Sequence, residues 1–153
     1  MQIRETGDAD IETVATLRLA FLAEYRHVDP TELPESSRVA TLAFLQRHSR
    51  RGTARTWLAE QDGVPIGLVT MLLLDLAPRP EDASGREGFL INMYVAPTNR
   101  RRGLGSLLLG ECLRAARELN LRRVVLYATE EGKPLYEASG FEANPSFMEL
   151  RLS

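Results

Sequence analysis

The stretch NRRRGLGS, Asn99 to Ser106, lies between an apolar run, GFLINMYV, and a leucine-rich one, LLLGECLRAARELN, and it limits the fold more than any other part of the chain. A strand-length apolar run, a loop with two glycines and a helix-length stripe make a strand-to-helix junction. The first N–H groups of the helix have no intrahelical acceptor, and the positive end of its dipole lies there, so such a junction attracts anions. Gly103 and Gly105 let a ligand approach the main chain, and Arg100, Arg101 and Arg102 can add charge-assisted hydrogen bonds. Taken alone, Gly-x-Gly does not separate this reading from a solvated turn shaped by glycines.

Other phosphate-binding loops can be tested against the same letters. A P-loop needs Gly-x-x-x-x-Gly-Lys followed by Ser or Thr, and no lysine follows Gly105. A dinucleotide fingerprint needs its first glycine almost directly after the strand and a third glycine three residues past the second. Here Ala96 to Arg102 follow Val95, and Leu108 holds the third position. A nucleic-acid surface spreads basic residues over a face with aromatics among them. With 19 Lys+Arg against 21 Asp+Glu the net charge is -2, so any basic site is local and no nucleic-acid partner is expected.

The length fits one domain, residues 1–153, large enough to bury a core without disulfides or structural metals. The single cysteine, Cys112, cannot close an internal disulfide. No apolar stretch reaches membrane-spanning length, and no charged-then-apolar leader opens the chain, so a reduced, soluble, cytoplasmic protein with no membrane partner is expected. Cys112, His27 and His48 lie too far apart for zinc-type spacing, and no metal is expected.

Along the chain, MQIRETG reads as a short strand. Asp8 or Asp10 can cap a helix whose apolar positions Ile11, Val14, Ala15, Leu19 and Leu22 recur at helical spacing. The loop DPTELPESS leads into a second helix, RVATLAFLQRHSR, ending near Gly52. TARTWLAEQDGVPIGLVTMLLLDL is two strands joined by a QDG hairpin turn, and the polar loop APRPEDASGREG follows. Then come the strand FLINMYV, the arginine loop, a helix with Leu104, Leu108 and Cys112 on its stripe, a strand in RRVVLYAT, a short helix, KPLYEAS, stopped by Gly140, and a strand near SFMELRL. The order β-α-α-β-β-β-α-β-α-β predicts one α/β domain built on an α+β mixed sheet.

With Arg100, Gly103 and Gly105 in the pattern Arg-x-x-Gly-x-Gly, the sequence resembles the GNAT superfamily of N-acetyltransferases. INMYVAP is similar to that family's central strand, and LYEASGF to its C-terminal segment, with Tyr136 at the tyrosine position. The resemblance covers almost the whole chain in element order. It implies that fold, acetyl-CoA as co-substrate without a metal, and direct acetyl transfer to a primary amine of a small-molecule or peptide acceptor; a homodimer stays open. In that family the central strand splays from the next one, and pantetheine lies in the wedge like an extra strand. Carried onto this chain, the main chain of Met93, Tyr94 and Val95 pairs with pantetheine, while Arg100, Arg101, Arg102, Gly103, Leu104, Gly105 and Ser106 hold the pyrophosphate. The chemistry agrees, since coenzyme A joins a pyrophosphate to an amide-bearing arm: helix N–H groups suit the first and a strand edge the second.

Acetyl transfer needs an unprotonated amine, support for a tetrahedral oxyanion and a proton for the departing thiolate. The resemblance makes Tyr136 the general acid and the Met93 N–H the oxyanion donor. Read without it, Tyr136 is an amphipathic helix residue that packs its ring. Many members of the family place a glutamate early in the central strand, where this chain has Phe89, so a water chain ordered by Asn92, Tyr94, Glu24 or Glu130 takes that place. Phe89 also keeps an alternative open, a non-catalytic acyl-CoA-binding sensor or partner domain of the same fold. The acceptor is expected against the first two helices and their connection, EYRHVDPTELPESSR. There Glu24, Asp29, Glu32 and Glu35 outnumber Arg26 and Arg38 and favour a cationic amine.

Overall fold

The computed structural model describes residues 1–152. A five-stranded sheet, β1 (Gln2–Glu5), β2 (Ala54–Gln61), β3 (Val64–Asp75), β4 (Arg86–Val95) and β5 (Val124–Val125), runs in sequence order across its width. The first four strands pair antiparallel, and β5 joins β4 in parallel. The helices are α1 (Ile11–Arg26), α2 (Glu35–Arg51), α3 (Leu104–Glu118) and the short α4 (Lys133–Ala138).

Alternation along the strands divides the core in two. Trp57, Val69, Met71 and Leu90 pack with Leu104, Leu108, Leu109 and Cys112 of α3. Leu58, Leu68 and Tyr94 pack with Val14 and Ala15 of α1 and Leu45 of α2. The hairpin between β2 and β3 turns at Asp62 and Gly63, both at positive φ (53° and 76°), the pairing of signs that a two-residue turn matched to strand twist requires.

Three expectations change. Asp10 does not cap α1 with its side chain; it accepts from two Arg4 nitrogens at 2.7 and 2.9 Å and from the Gly7 N–H at 2.8 Å. The strand in RRVVLYAT shrinks to two paired residues. The last strand of the predicted order, near SFMELRL, is not formed among the described residues. Met148, Leu150 and Leu152 are 91%, 82% and 86% exposed, because so short a β5 offers no ladder on which the alternating pattern could settle. Phe147 does touch Tyr127, edge to face at 5.3 Å.

The Arg4 guanidinium holds the Asp10 carboxyl down at about 2. A depressed carboxyl stabilises the fold fully above its unfolded value, near 3.9, and loses that contribution as pH falls toward 2. Acid unfolding followed by circular dichroism is therefore expected to be less steep in Asp10→Asn than in the parent between about pH 4 and 2.

Candidate functional site

The site forms where β4 loses both neighbours' regular pairing. On one side β5 pairs only at Gly88↔Val124 and Phe89↔Val125, so the β5-side edge of β4 from Leu90 to Val95 has no strand beside it. On the other side the β3–β4 register slips between Leu68 and Thr70, where Asn92 adopts a left-handed φ of 56°. One extra residue in β4 makes this a bulge, which turns the main chain of Asn92 and Met93 out of the ladder. Beyond it the Ala96 N–H donates to Ile66 O at 2.8 Å across the β3 side, whereas Val95 O accepts from Arg100 Nε at 2.8 Å.

The loop then climbs through a single turn at Pro97–Asn99, a left-handed Arg101 (φ 60°) and a left-handed Gly103 (φ 78°). The first bond of α3 recorded from the loop is Leu107 N–H to Gly103 O at 3.1 Å, so the N–H groups from Gly103 to Ser106 precede any i−4 acceptor in α3. Gly103 is exposed, and a Cβ there would meet nothing within 4 Å, so the space over the loop is open. Gly105 serves packing: its Cβ position lies 3.4 Å from Leu135 of α4. Leu104 is core, 3% exposed, and contributes only main chain to the loop, while Ser106 is exposed.

The three arginines part company. Arg100 folds back, donating to Val95 O and to the Glu24 carboxylate at 2.7 Å, with its guanidinium 5.7 Å from the centre of the Tyr94 ring. Arg101 and Arg102 are exposed and make no side-chain hydrogen bond or ion pair among the described residues, which leaves them as the uncommitted cations over the loop. Tyr94 is buried at 8% exposure, packs against Phe21 and has its phenol pKa pushed up, chiefly by burial.

Tyr136 lies in α4, 8% exposed, within the same core cluster that Met93 packs against. Its ring meets Phe141 edge-on at 5.7 Å. Burial pushes the phenol up to about 12, so it stays protonated at neutral pH. The hydroxyl makes no hydrogen bond within the described residues and is not a sealed, unsatisfied atom, so it keeps access to water.

Of the polar residues expected to order water, Glu130 is drawn away: it is exposed and bound to Lys133 at 2.6 Å, an i,i+3 pair on the surface. Glu24 is paired with Arg100. Asn92 stays, 3% exposed, donating from Nδ2 to Thr70 Oγ1 at 3.3 Å and accepting at Oδ1 from Arg18. The sequence reading missed Arg18 and Thr70. Arg18 sits at an i+3 step from Ala15 and three residues before Phe21, inside the stripe that α1 turns to the sheet, and a charge at a stripe position was the available signal. Phe89 packs edge-on against Tyr127, and Glu87, two residues earlier, is locked by Arg123 at 2.7 Å. Among the described residues no three His, Cys, Asp or Glu side chains come together as a metal site, and no helix is long and apolar enough to cross a membrane.

A free strand edge beside unpaired helix N–H groups accommodates an extended amide chain ending in an anion. The profile of the acetyltransferase (GNAT) family matches residues 15–141, and the chain belongs to that family. It is accordingly an N-acetyltransferase. The fold is similar to that of a predicted acetyltransferase from Clostridium acetobutylicum with acetyl-CoA, at 23% identity over 98% of this chain and 95% of that one, with a TM-score of 0.87. A GCN5-related N-acetyltransferase from Ralstonia eutropha aligns at 24% identity, 98% and 97% coverage and a TM-score of 0.79. AAC(6')-Iy in complex with the bisubstrate analog CoA-S-monomethyl-acetylneamine aligns at 21% identity, 99% and 97% coverage and a TM-score of 0.77. No curated protein matches the sequence.

Proposed function

We propose that this chain transfers the acetyl group of acetyl-CoA directly to a primary amine of a small-molecule or peptide acceptor. The observation that carries this reading is the unpaired edge of β4 from Leu90 to Val95, continuous with the open N–H groups at the start of α3. Pantetheine lies along Met93 and Val95, and its pyrophosphate rests on the main chain of Gly103 to Ser106, with Arg101 and Arg102 supplying charge. Val95 O, bound by Arg100 in this structure, becomes available to the pantetheine amide when that guanidinium moves aside.

In the transfer itself the amine lone pair attacks the thioester carbonyl carbon, the C–N bond forms and the C–S bond breaks. The Met93 N–H, turned out of the ladder by the bulge, meets the oxyanion. Tyr136 gives its proton to the departing sulfur, and the proton lost by the amine nitrogen leaves through water ordered near Asn92 and Tyr94. Phe89 offers no carboxylate for that last step, so the amine must arrive unprotonated or lose its proton to water. Neighbours of the same fold include an aminoglycoside N-acetyltransferase and a ribosomal-protein-alanine N-acetyltransferase, so the fold leaves the acceptor to the residues around it.

The test follows free thiol release from acetyl-CoA against a broad amine panel. Acceptor-dependent thiol release, with the acetylated amine found by mass spectrometry, is the expected outcome. Coenzyme binding with no acetylated product from any amine would overturn it.

A further inference from the structure

Among the described residues seven arginines, Arg4, Arg55 and Arg123 with them, end on carboxylates. Arg18 does not. It projects from the stripe of α1 that packs on the sheet, is part-buried, and its one recorded hydrogen bond is from Nη1 to Asn92 Oδ1. A guanidinium has five N–H donors and accepts nothing, so the neutral Asn92 oxygen satisfies a fraction of it and offsets none of its charge. Asn92 cannot turn to offer more: its Nδ2 is held by Thr70 Oγ1, and Thr70 is bound in turn to Thr56 Oγ1 at 2.8 Å. Burial alone pulls the Arg18 pKa down, with no carboxylate contribution opposing it.

A desolvated cation with only a neutral partner opposes folding. Ordinary packing would place an apolar residue at this stripe position, as α1 does at Val14, Ala15 and Phe21. The placement is also specific. Asn92 is the bulge residue and precedes Met93 in the chain, so the Arg18 guanidinium stands one side chain away from the main chain that faces the reacting carbonyl. It lies on the α1 side of the sheet, the side on which Phe21 packs against Tyr94.

We infer that Arg18 is a specificity-determining residue that binds a carboxylate of the acceptor, which makes the acceptor class an amino acid or another amine carrying a carboxylate near its reacting nitrogen. This rests on the transferase reading above and narrows it. The planar guanidinium can meet a carboxylate through two parallel N–H···O bonds, a geometry that a lysine cannot reproduce.

The experiment compares matched acceptors, glycine with glycinamide and 4-aminobutyrate with 4-aminobutyramide, with kcat/KM expressed per unprotonated amine because the amide lowers the α-amine pKa. The parent is expected to prefer at least one acid over its amide by about tenfold or more, as a charge-assisted pair implies. In R18Q and R18M that preference disappears through a raised KM for the acid, while the amide's kcat/KM and acetyl-CoA affinity stay close to the parent's. R18K restores it only in part. Equal loss for acid and amide, carried by kcat, would overturn the inference and leave Arg18 as a positioning residue for the Asn92 bulge. A parent with no preference for either acid would overturn it as well. A second arm needs no turnover: with coenzyme A present, the same acids should raise Tm in the parent and not in R18Q, and the amides in neither. Arg18-dependent protection without acetylation of any amine would sustain the carboxylate site and overturn the transferase reading, whereas turnover without Arg18-dependent protection or preference would do the reverse.

Discussion

Tyr136→Phe is expected to lower turnover by about 10²-fold while leaving acetyl-CoA affinity and Tm nearly unchanged. General acid assistance is worth roughly 10²–10⁴-fold, and the lower end applies because a phenol raised to about 12 is a weak donor to a thiolate whose conjugate acid is near 8.5. The ring contact with Phe141 survives the substitution, and no protein hydrogen bond to the hydroxyl is lost. A fall in kcat without a change in coenzyme binding marks an interaction made mainly in the transition state. The pH profile gives a second check. Since the raised pKa keeps Tyr136 protonated until pH approaches 12, the parent should show no alkaline loss of kcat below about pH 10. A Phe variant acetylating its best acceptor at the parent rate, with chemistry limiting, would remove Tyr136 from the mechanism.

Gly103→Val should weaken acetyl-CoA binding by at least about tenfold. At φ 78° any Cβ carries left-handed strain of roughly 1–2 kcal/mol, enough by itself for about fivefold to thirtyfold if the loop relaxes to escape it. The branch would also stand in the open space over the α3 N–H groups, the approach proposed for the pyrophosphate. No neighbour lies within 4 Å of that Cβ position, so the fold survives and the loss appears in the coenzyme titration more than in Tm. Arg100→Ala acts differently. It removes a guanidinium that, once it has left Val95 O and Glu24, can reach the phosphate, and about a tenfold loss is expected from one charge-assisted bond. Titrations unchanged in both variants would dismiss the loop as the phosphate site.

The sequence displayed what depends on local chemistry. Gly103 and Gly105 after a strand, the Asp62-Gly63 turn and the α3 stripe are each decided within a few residues, and the structure forms all three. It concealed what depends on partners distant in the chain. FLINMYV reads as a regular strand, yet it carries a bulge at Asn92, whose side chain bonds Thr70 and Arg18, residues far away in the sequence. The arginine triplet reads as three equivalent cations until Glu24, 76 residues away, takes one of them. Glu130 went the other way, captured by its neighbour Lys133. SFMELRL has the alternation of a strand, but alternation states a preference and a ladder needs an edge.

Burial of Cys112 determines what can be learned at the bench. The residue is 0% exposed on the sheet-facing side of α3, and its thiol is pushed up to about 12, so almost none is thiolate at neutral pH. Thiolate is the reactive form. Each acetyl transfer liberates one sulfhydryl from the coenzyme, and while the fold is intact a disulfide dye therefore counts product against a silent background. Once α3 lifts from the sheet, the same dye acquires one new target per chain, the single cysteine. A single colour trace thus resolves turnover, as a slope, from loss of the native state, as a step of one equivalent.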